Sequence, residues 1–172
     1  MVRFMTQQHV SRAAVAVAAA AVLAMATASF APAERPTPQD ATTFLARTIT
    51  RIAANRYASV WPSLNPAQKR AIPEARYVTC ELRSPVRGTL TALTALSVRS
   101  ERVRIAGGLR HDVPSVAVGF RIELSDLTTG ATSVVFHTAH AIWVGDRWSW
   151  ILPPARFAAD RRPDCGDPAY DV

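Results

Sequence analysis

The stretch that decides the fold lies in the second half of the chain, at residues 116–124, which read VAVGFRIEL. Large apolar side chains occupy every second position of this stretch, from Val116 to Leu124, and small or charged residues stand between them. Because successive side chains of a β-strand point to opposite faces, this alternation predicts a strand.

Apolar stretches on either side of this strand predict three more strands. They are residues 93–106, residues 132–144 and residues 147–152, the last of which ends before Pro153-Pro154. The dipeptide Gly145-Asp146 predicts a two-residue turn with glycine first, which joins the last two strands into a hairpin.

This turn fixes the pairing of the hairpin, because paired residues of antiparallel strands share a face. The predicted register places seven side chains on one face: Trp143, Trp148, Trp150, Ala139, Ala141, His137 and Val135. Tryptophans above small residues are typical of ordinary core packing, which is the default for aromatic residues in strands. The alternative is the wall of an apolar ligand cavity. The ligand-pocket candidates are His137, His140, Trp143, Trp148 and Trp150.

The histidines do not predict a metal site. His137 and His140 are three residues apart, so on a strand they point to opposite faces. A half-buried His140 on the face of Phe136 and Ile142 indicates a structural histidine. No zinc ligand set or nucleotide-binding fingerprint is present in the sequence, so we expect no metal, no cofactor and no assigned catalytic residue.

The first third of the sequence is helical in pattern. Thr37-Pro38-Gln39-Asp40 is typical of a helix start, and the apolar spacing that follows predicts one helix ending near Trp61-Pro62. Asn65 predicts the cap of a short helix over residues 67–72. Residues 74–80 are either a further short helix or the first extended segment.

The two ends of the sequence predict the cellular compartment of the protein. Residues 1–33 have a basic start, an apolar run and two processing triplets, which predict a signal peptide cleaved after Ala28 or Ala33. Secretion or an extracytoplasmic location follows, with an uncleaved membrane anchor as the alternative. Cys80 and Cys165, an even count in an exported chain, predict a disulfide that holds the C-terminal tail, residues 153–172.

The net charge of +7 does not indicate a nucleic-acid binder, because the arginines are dispersed among acidic residues instead of clustered. What remains is a single domain over residues 34–172, with a core at about 38–152. A long helix, short helices and four meandering strands predict the α+β class: N-terminal helices packed on a curved antiparallel sheet of about four strands.

From Pro38 to Leu152 the chain resembles the nuclear transport factor 2-like superfamily, whose fold is the cystatin-like cone. The resemblance rests on residues 61–66 (WPSLNP), 77–80 (YVTC) and 144–150 (VGDRWSW), and it is greatest to the small exported bacterial members. It implies a cone-shaped fold. The predicted signal peptide, the absence of a catalytic set and the tryptophan face favour an exported domain that binds a small apolar ligand or a cell-envelope partner without catalysis. The alternative that the resemblance implies is an isomerase or cyclase using an ionisable residue inside the cone. A homodimer through the open sheet face is a further expectation, and no catalytic residue is transferred from the family.

Overall fold

Five helices and four strands follow one another in the computed structural model, which describes residues 36–108 and 111–166. The elements are α1 Pro38–Ala53, α2 Tyr57–Val60, a 3-10 turn Trp61–Ser63, α3 Pro66–Ala71, α4 Glu74–Glu81, β1 Thr89–Val103, β2 Val113–Ser125, β3 Thr132–Val144, β4 Arg147–Trp150 and α5 Pro154–Arg161. The predicted signal peptide and its cleavage sites lie outside the described residues.

The predicted fold class is confirmed. The strands form one antiparallel sheet in the order β1-β2-β3-β4, so each strand pairs with its neighbour in sequence. The sheet is curved, and α1 lies across it in contact with all four strands. The face toward α1 is called the inner face below.

The start of α1 follows the predicted pattern. Thr37 accepts a hydrogen bond from the backbone N–H of Asp40, and the Asp40 carboxylate accepts one from the backbone N–H of Thr37. This reciprocal capping box satisfies two donors that a helix start leaves free.

The predicted end of the first helix is wrong. The helix ends at Ala53, and Asn55 adopts a left-handed conformation with φ of 55° before the chain enters α2. Asparagine tolerates this conformation better than most residues. A tertiary contact of its side chain, described below, holds the break in place.

The hairpin register is confirmed. Ala141 pairs with Trp150 and Trp143 with Trp148, around a turn in which Gly145 has φ of 68°. The first strand is displaced from its predicted bounds, since β1 begins at Thr89. It also ends earlier than predicted, at Val103. Two register shifts near its start, between Leu90 and Ala92 and between Ala95 and Ser97, interrupt the alternation from which the start of a strand is recognised.

The main core fills the space between the helices and the inner face. It unites Leu45 and Tyr57 from the helices with Val118 and Phe120 from the sheet. The fully buried Gln68 joins the two layers, because its amide donates to the carbonyl of Leu152 (3.1 Å) and accepts from the N–H of Leu152 (2.9 Å).

The C-terminal segment is both helical and covalently attached. The predicted disulfide is present, with the Cα atoms of Cys80 and Cys165 5.2 Å apart. Helix α5 was not predicted from the polar composition of the tail. Its buried Phe157 reaches the main core, and packing of that ring offsets the weak propensity of a short helix.

Candidate functional site

A cavity of about 590 Å³ opens between the end of α1, the loop after α4 and the inner face of the sheet. Its size lies in the range of small-molecule sites. We call it the inner cavity, and its lining residues are Ile49, Ile52, Ala53, Arg83, Ser84, Pro85, Val86, Arg87, Ile122, Leu124, Val135, Phe136, His137 and Trp150.

The apolar walls of the inner cavity come from regular elements. Helix α1 contributes Ile49, Ile52 and Ala53, whose spacing of three and four residues places them on one face. On the sheet, Ile122 pairs directly with Val135, so these two side chains stand side by side on the inner face. The walls are therefore set by rigid elements.

The rim of the inner cavity is held by one asparagine. The side chain of Asn55 accepts a hydrogen bond from the N–H of Val86 (2.9 Å) and donates one to the carbonyl of Val86 (3.0 Å). The hydroxyl of Tyr57 donates to the same Asn55 oxygen (2.7 Å). These contacts fasten the loop after α4 to the end of α1, so Val86 is fixed where it lines the inner cavity.

The mouth of the inner cavity is formed by exposed lining residues that include Arg83, Pro85, Arg87 and Phe136. Arg83 donates a hydrogen bond from Nη1 to the backbone carbonyl of Asp164, next to the disulfide. The C-terminal segment thereby positions one of the two arginines at the mouth.

His137 places a titratable imidazole beside the apolar side chains of the inner cavity. Burial lowers the pKa of its imidazole, and the neighbouring His140 lowers it further. A ring with a lowered pKa is neutral at pH 7 and can either donate or accept one hydrogen bond.

The predicted pocket candidates separate into three places. His137 and Trp150 line the inner cavity, and Trp150 is buried. Trp143 and Trp148 lie further along the same hairpin, with ring centroids 5.3 Å apart in an edge-to-face contact, and they do not line the inner cavity. Edge-to-face contact between rings is favourable in itself, so this pair stabilises the end of the hairpin.

His140 lies on the outer face of the sheet. Its Nε2 is 2.6 Å from Oε1 of Glu101, and Arg99 contacts the other oxygen of that carboxylate at 3.1 Å. The hydrogen bond from His140, followed by that from Arg99, lowers the pKa of Glu101. The structure therefore separates the two histidines, as their spacing on a strand predicts.

A buried charged cluster connects α4 with α5 away from the inner cavity. Arg156 Nε is 2.7 Å from Glu81 Oε1 and 3.6 Å from Asp160 Oδ1. Burial, together with the charge of Glu81, raises the pKa of Asp160 to about 7. None of these side chains lines the inner cavity, and the contact of Arg156 with Glu81 joins α5 to α4.

Sequence reasoning missed the two arginines of the mouth. Arg83 and Arg87 stand in an irregular loop, where no periodicity marks a face. A local signal exists only for Arg83, which follows Cys80 by three residues, in the turn after α4, and so stays close to the disulfide.

A scan against models of protein families finds no match to this chain, and a search among curated proteins finds none either. Over residues 36–108 and 111–166, no cluster of three or more His, Cys, Asp or Glu side chains could hold a metal ion. In the same part of the chain, every helix is too short or too polar to cross a bilayer.

Proposed function

We propose that this protein is an exported, non-catalytic domain that binds a small apolar ligand in the inner cavity. The observation that carries the proposal is the wall of aliphatic and aromatic side chains around a space of about 590 Å³. Binding sites for small molecules are mainly apolar, with a few polar groups that orient the ligand. Export is supported by the Cys80–Cys165 disulfide, because such bridges persist in oxidising compartments.

Membership of the nuclear transport factor 2-like superfamily is part of the same proposal. Its support is the arrangement of N-terminal helices against one face of a four-stranded antiparallel sheet, with a cavity between them. A fold alone does not define a function. The ligand proposal therefore depends on the chemistry of the lining residues.

The binding test uses the fluorescence of N-phenyl-1-naphthylamine, a neutral apolar dye that brightens on leaving water. We expect saturable brightening with the purified protein whose disulfide is intact. In A53F a ring is placed inside the inner cavity, and we expect dye affinity at least tenfold weaker. The matched control is A54F, because Ala54 is exposed and does not line the inner cavity.

A second variant keeps the binding test decisive in case A53F does not fold. Leu124 is only half-buried, so L124W places a ring in the cavity with less demand on the core. Far-UV circular dichroism checks that each variant is folded. Full dye affinity in both folded variants, or no saturable binding by the unmodified protein, would refute the proposal.

An isomerase or cyclase is the second candidate function, and His137 is the observation that favours it. A neutral imidazole in an apolar cavity can act as a general base. The test is to incubate the protein and H137Q with a 5-ene-3-ketosteroid and follow conjugated enone formation by ultraviolet absorbance. Turnover that H137Q abolishes would support the enzyme, and equal absorbance changes with and without protein would exclude this reaction.

An envelope protein or a second copy of this chain is the proposed macromolecular partner. Its support is the exposed apolar side chains of Val134 and Phe136 on β3. Sedimentation of V134D tests the homodimer. A native dimer that V134D dissociates would support it, and a monomer at high concentration would exclude it.

A further inference from the structure

The charge at the mouth of the inner cavity is positive and unbalanced by the lining. Among the described lining residues, Arg83 and Arg87 are charged, and none of the others is an aspartate or glutamate. The neutral form of His137 adds no charge at pH 7, because burial lowers its pKa. An apolar space with two guanidinium groups at its entrance is therefore complementary to a ligand with an anionic end.

Both guanidinium groups keep donors available for a ligand. Arg83 uses Nη1 on a backbone carbonyl, which is a neutral acceptor, and a guanidinium has five N–H donors. Arg87 makes no hydrogen bond or ion pair with the residues that the structure describes, although its charge is felt by the carboxylate of Asp126.

Two carboxylates lie near the mouth arginines without forming an ion pair with them: besides hydrogen bonds within local turns, the charge of Arg87 lowers the pKa of Asp126, and that of Arg83 lowers the pKa of Asp164. The Oδ1 atom of Asp126 accepts from the backbone N–H groups of Thr128 and Thr129 at 2.8 and 2.7 Å. Asp164 accepts from the N–H of Gly166 (3.1 Å). The hydrogen bonds of both acids are made within local turns, these bonds are the main cause of their lowered pKa values, and neither acid lines the inner cavity.

We propose that the inner cavity takes a single-chain amphiphile with an anionic head group, whose head lies at Arg83 and Arg87 and whose tail lies against Ile49, Ile122 and Trp150. This inference rests on the proposed function and names the ligand class for it. Guanidinium groups bind carboxylate and phosphate by charge-assisted hydrogen bonds, which are stronger than neutral ones. The apolar walls favour the tail by removing it from water.

The test compares three single-chain ligands of matched chain length: decanoate, 1-decanol and decyltrimethylammonium. Each is titrated against the complex of N-phenyl-1-naphthylamine with the protein at pH 7.5. Decanol is kept below its solubility limit, and the two ionic ligands are kept below their micellar concentrations. We expect decanoate to bind about tenfold to a hundredfold more tightly than decanol, and the cation to bind most weakly. The preference for decanoate should shrink as salt is raised, because the mouth is exposed.

The variants R83Q and R87Q locate the head group. Each should reduce the preference for decanoate while leaving the affinity for decanol unchanged. The matched control is R47Q, which removes the same charge from the exposed side of α1, outside the inner cavity.

The outcomes separate this inference from the function on which it rests. Equal displacement by decanoate and decanol would overturn the anionic class and leave apolar binding intact. A preference for decanoate that persists in the R83Q/R87Q double variant would overturn the assignment of the head group to these arginines. An absence of saturable dye binding would overturn the proposed function itself.

Discussion

The contacts of Asn55 with Val86 make the rim of the inner cavity a defined target for mutation. Asn55 combines a left-handed backbone, with φ of 55°, and three side-chain hydrogen bonds. Two variants separate these contributions. N55G removes the side chain but keeps the backbone free to adopt a left-handed conformation, whereas N55A also forces a Cβ atom into that conformation.

The magnitudes follow from the number of bonds. Each intramolecular hydrogen bond contributes about 1 kcal/mol net, so N55G should lower the free energy of unfolding by about 2–3 kcal/mol. N55A should lower it by about 1 kcal/mol more, since a left-handed alanine costs about 1–2 kcal/mol. Because Val86 then loses its anchor at the rim, both variants should also bind N-phenyl-1-naphthylamine more weakly.

Urea unfolding followed by circular dichroism measures the stability, and dye titration measures the cavity. N65A is the control, because the Asn65 side chain caps α3 through a bond to Ala67 and does not line the inner cavity. N65A should lower the free energy of unfolding by about 1 kcal/mol and leave the affinity for the dye unchanged. The reasoning fails if N55G is within about 0.5 kcal/mol of the unmodified protein, or if N55A is as stable as N55G.

Three further changes test the rest of the structure. The C80S/C165S double variant should lose about 4.5 kcal/mol in urea unfolding, from the entropy of a closed loop with a sequence separation of 85, and an unchanged midpoint would contradict this. Folding raises the pKa of the Asp160 carboxyl from 3.8 to about 7, so the folded state binds this proton more tightly than the unfolded state does. The melting temperature should therefore fall as the pH rises from about 4 to 7. The D160N variant should show a smaller fall over the same pH range. G107A should lower the free energy of unfolding by about 1–3 kcal/mol more than G130A does. The two glycines have similar φ (74° and 70°), but a Cβ atom at Gly107 would stand 2.3 Å from the Phe157 ring, whereas one at Gly130 would meet nothing within 4 Å. Equal losses in chemical denaturation would show that the contact with Phe157 relaxes.

The local parts of the fold could be read from short stretches of sequence. The bounds of β3, Thr132–Val144, agree with the predicted strand, and the turn at Gly145 sets the register of the hairpin. Thr37 and Asp40 form their capping box within a single turn of chain. In each case the deciding interaction joins residues only a few positions apart.

Features that depend on distant contacts were missed. The helix break at Asn55 is held by Val86, which is 31 positions away, so the helical spacing of the first third of the chain gave no sign of it. Helix α5 depends on Phe157 entering the core and on Arg156 pairing with Glu81. Its composition alone resembles that of an irregular tail.

The features of the inner cavity also fall into those set by local sequence and those set by distant contacts. The sequence by itself determined that His137 and Trp150 share one face of the sheet, because strand periodicity and the turn fix orientation locally. Only the tertiary structure decided that the space beneath them stays open, and that Ile49 and Arg87 border it. The physical reason is that a cavity is what remains unfilled when elements far apart in sequence pack together. Its volume depends on how helix and sheet are spaced, which no local pattern encodes.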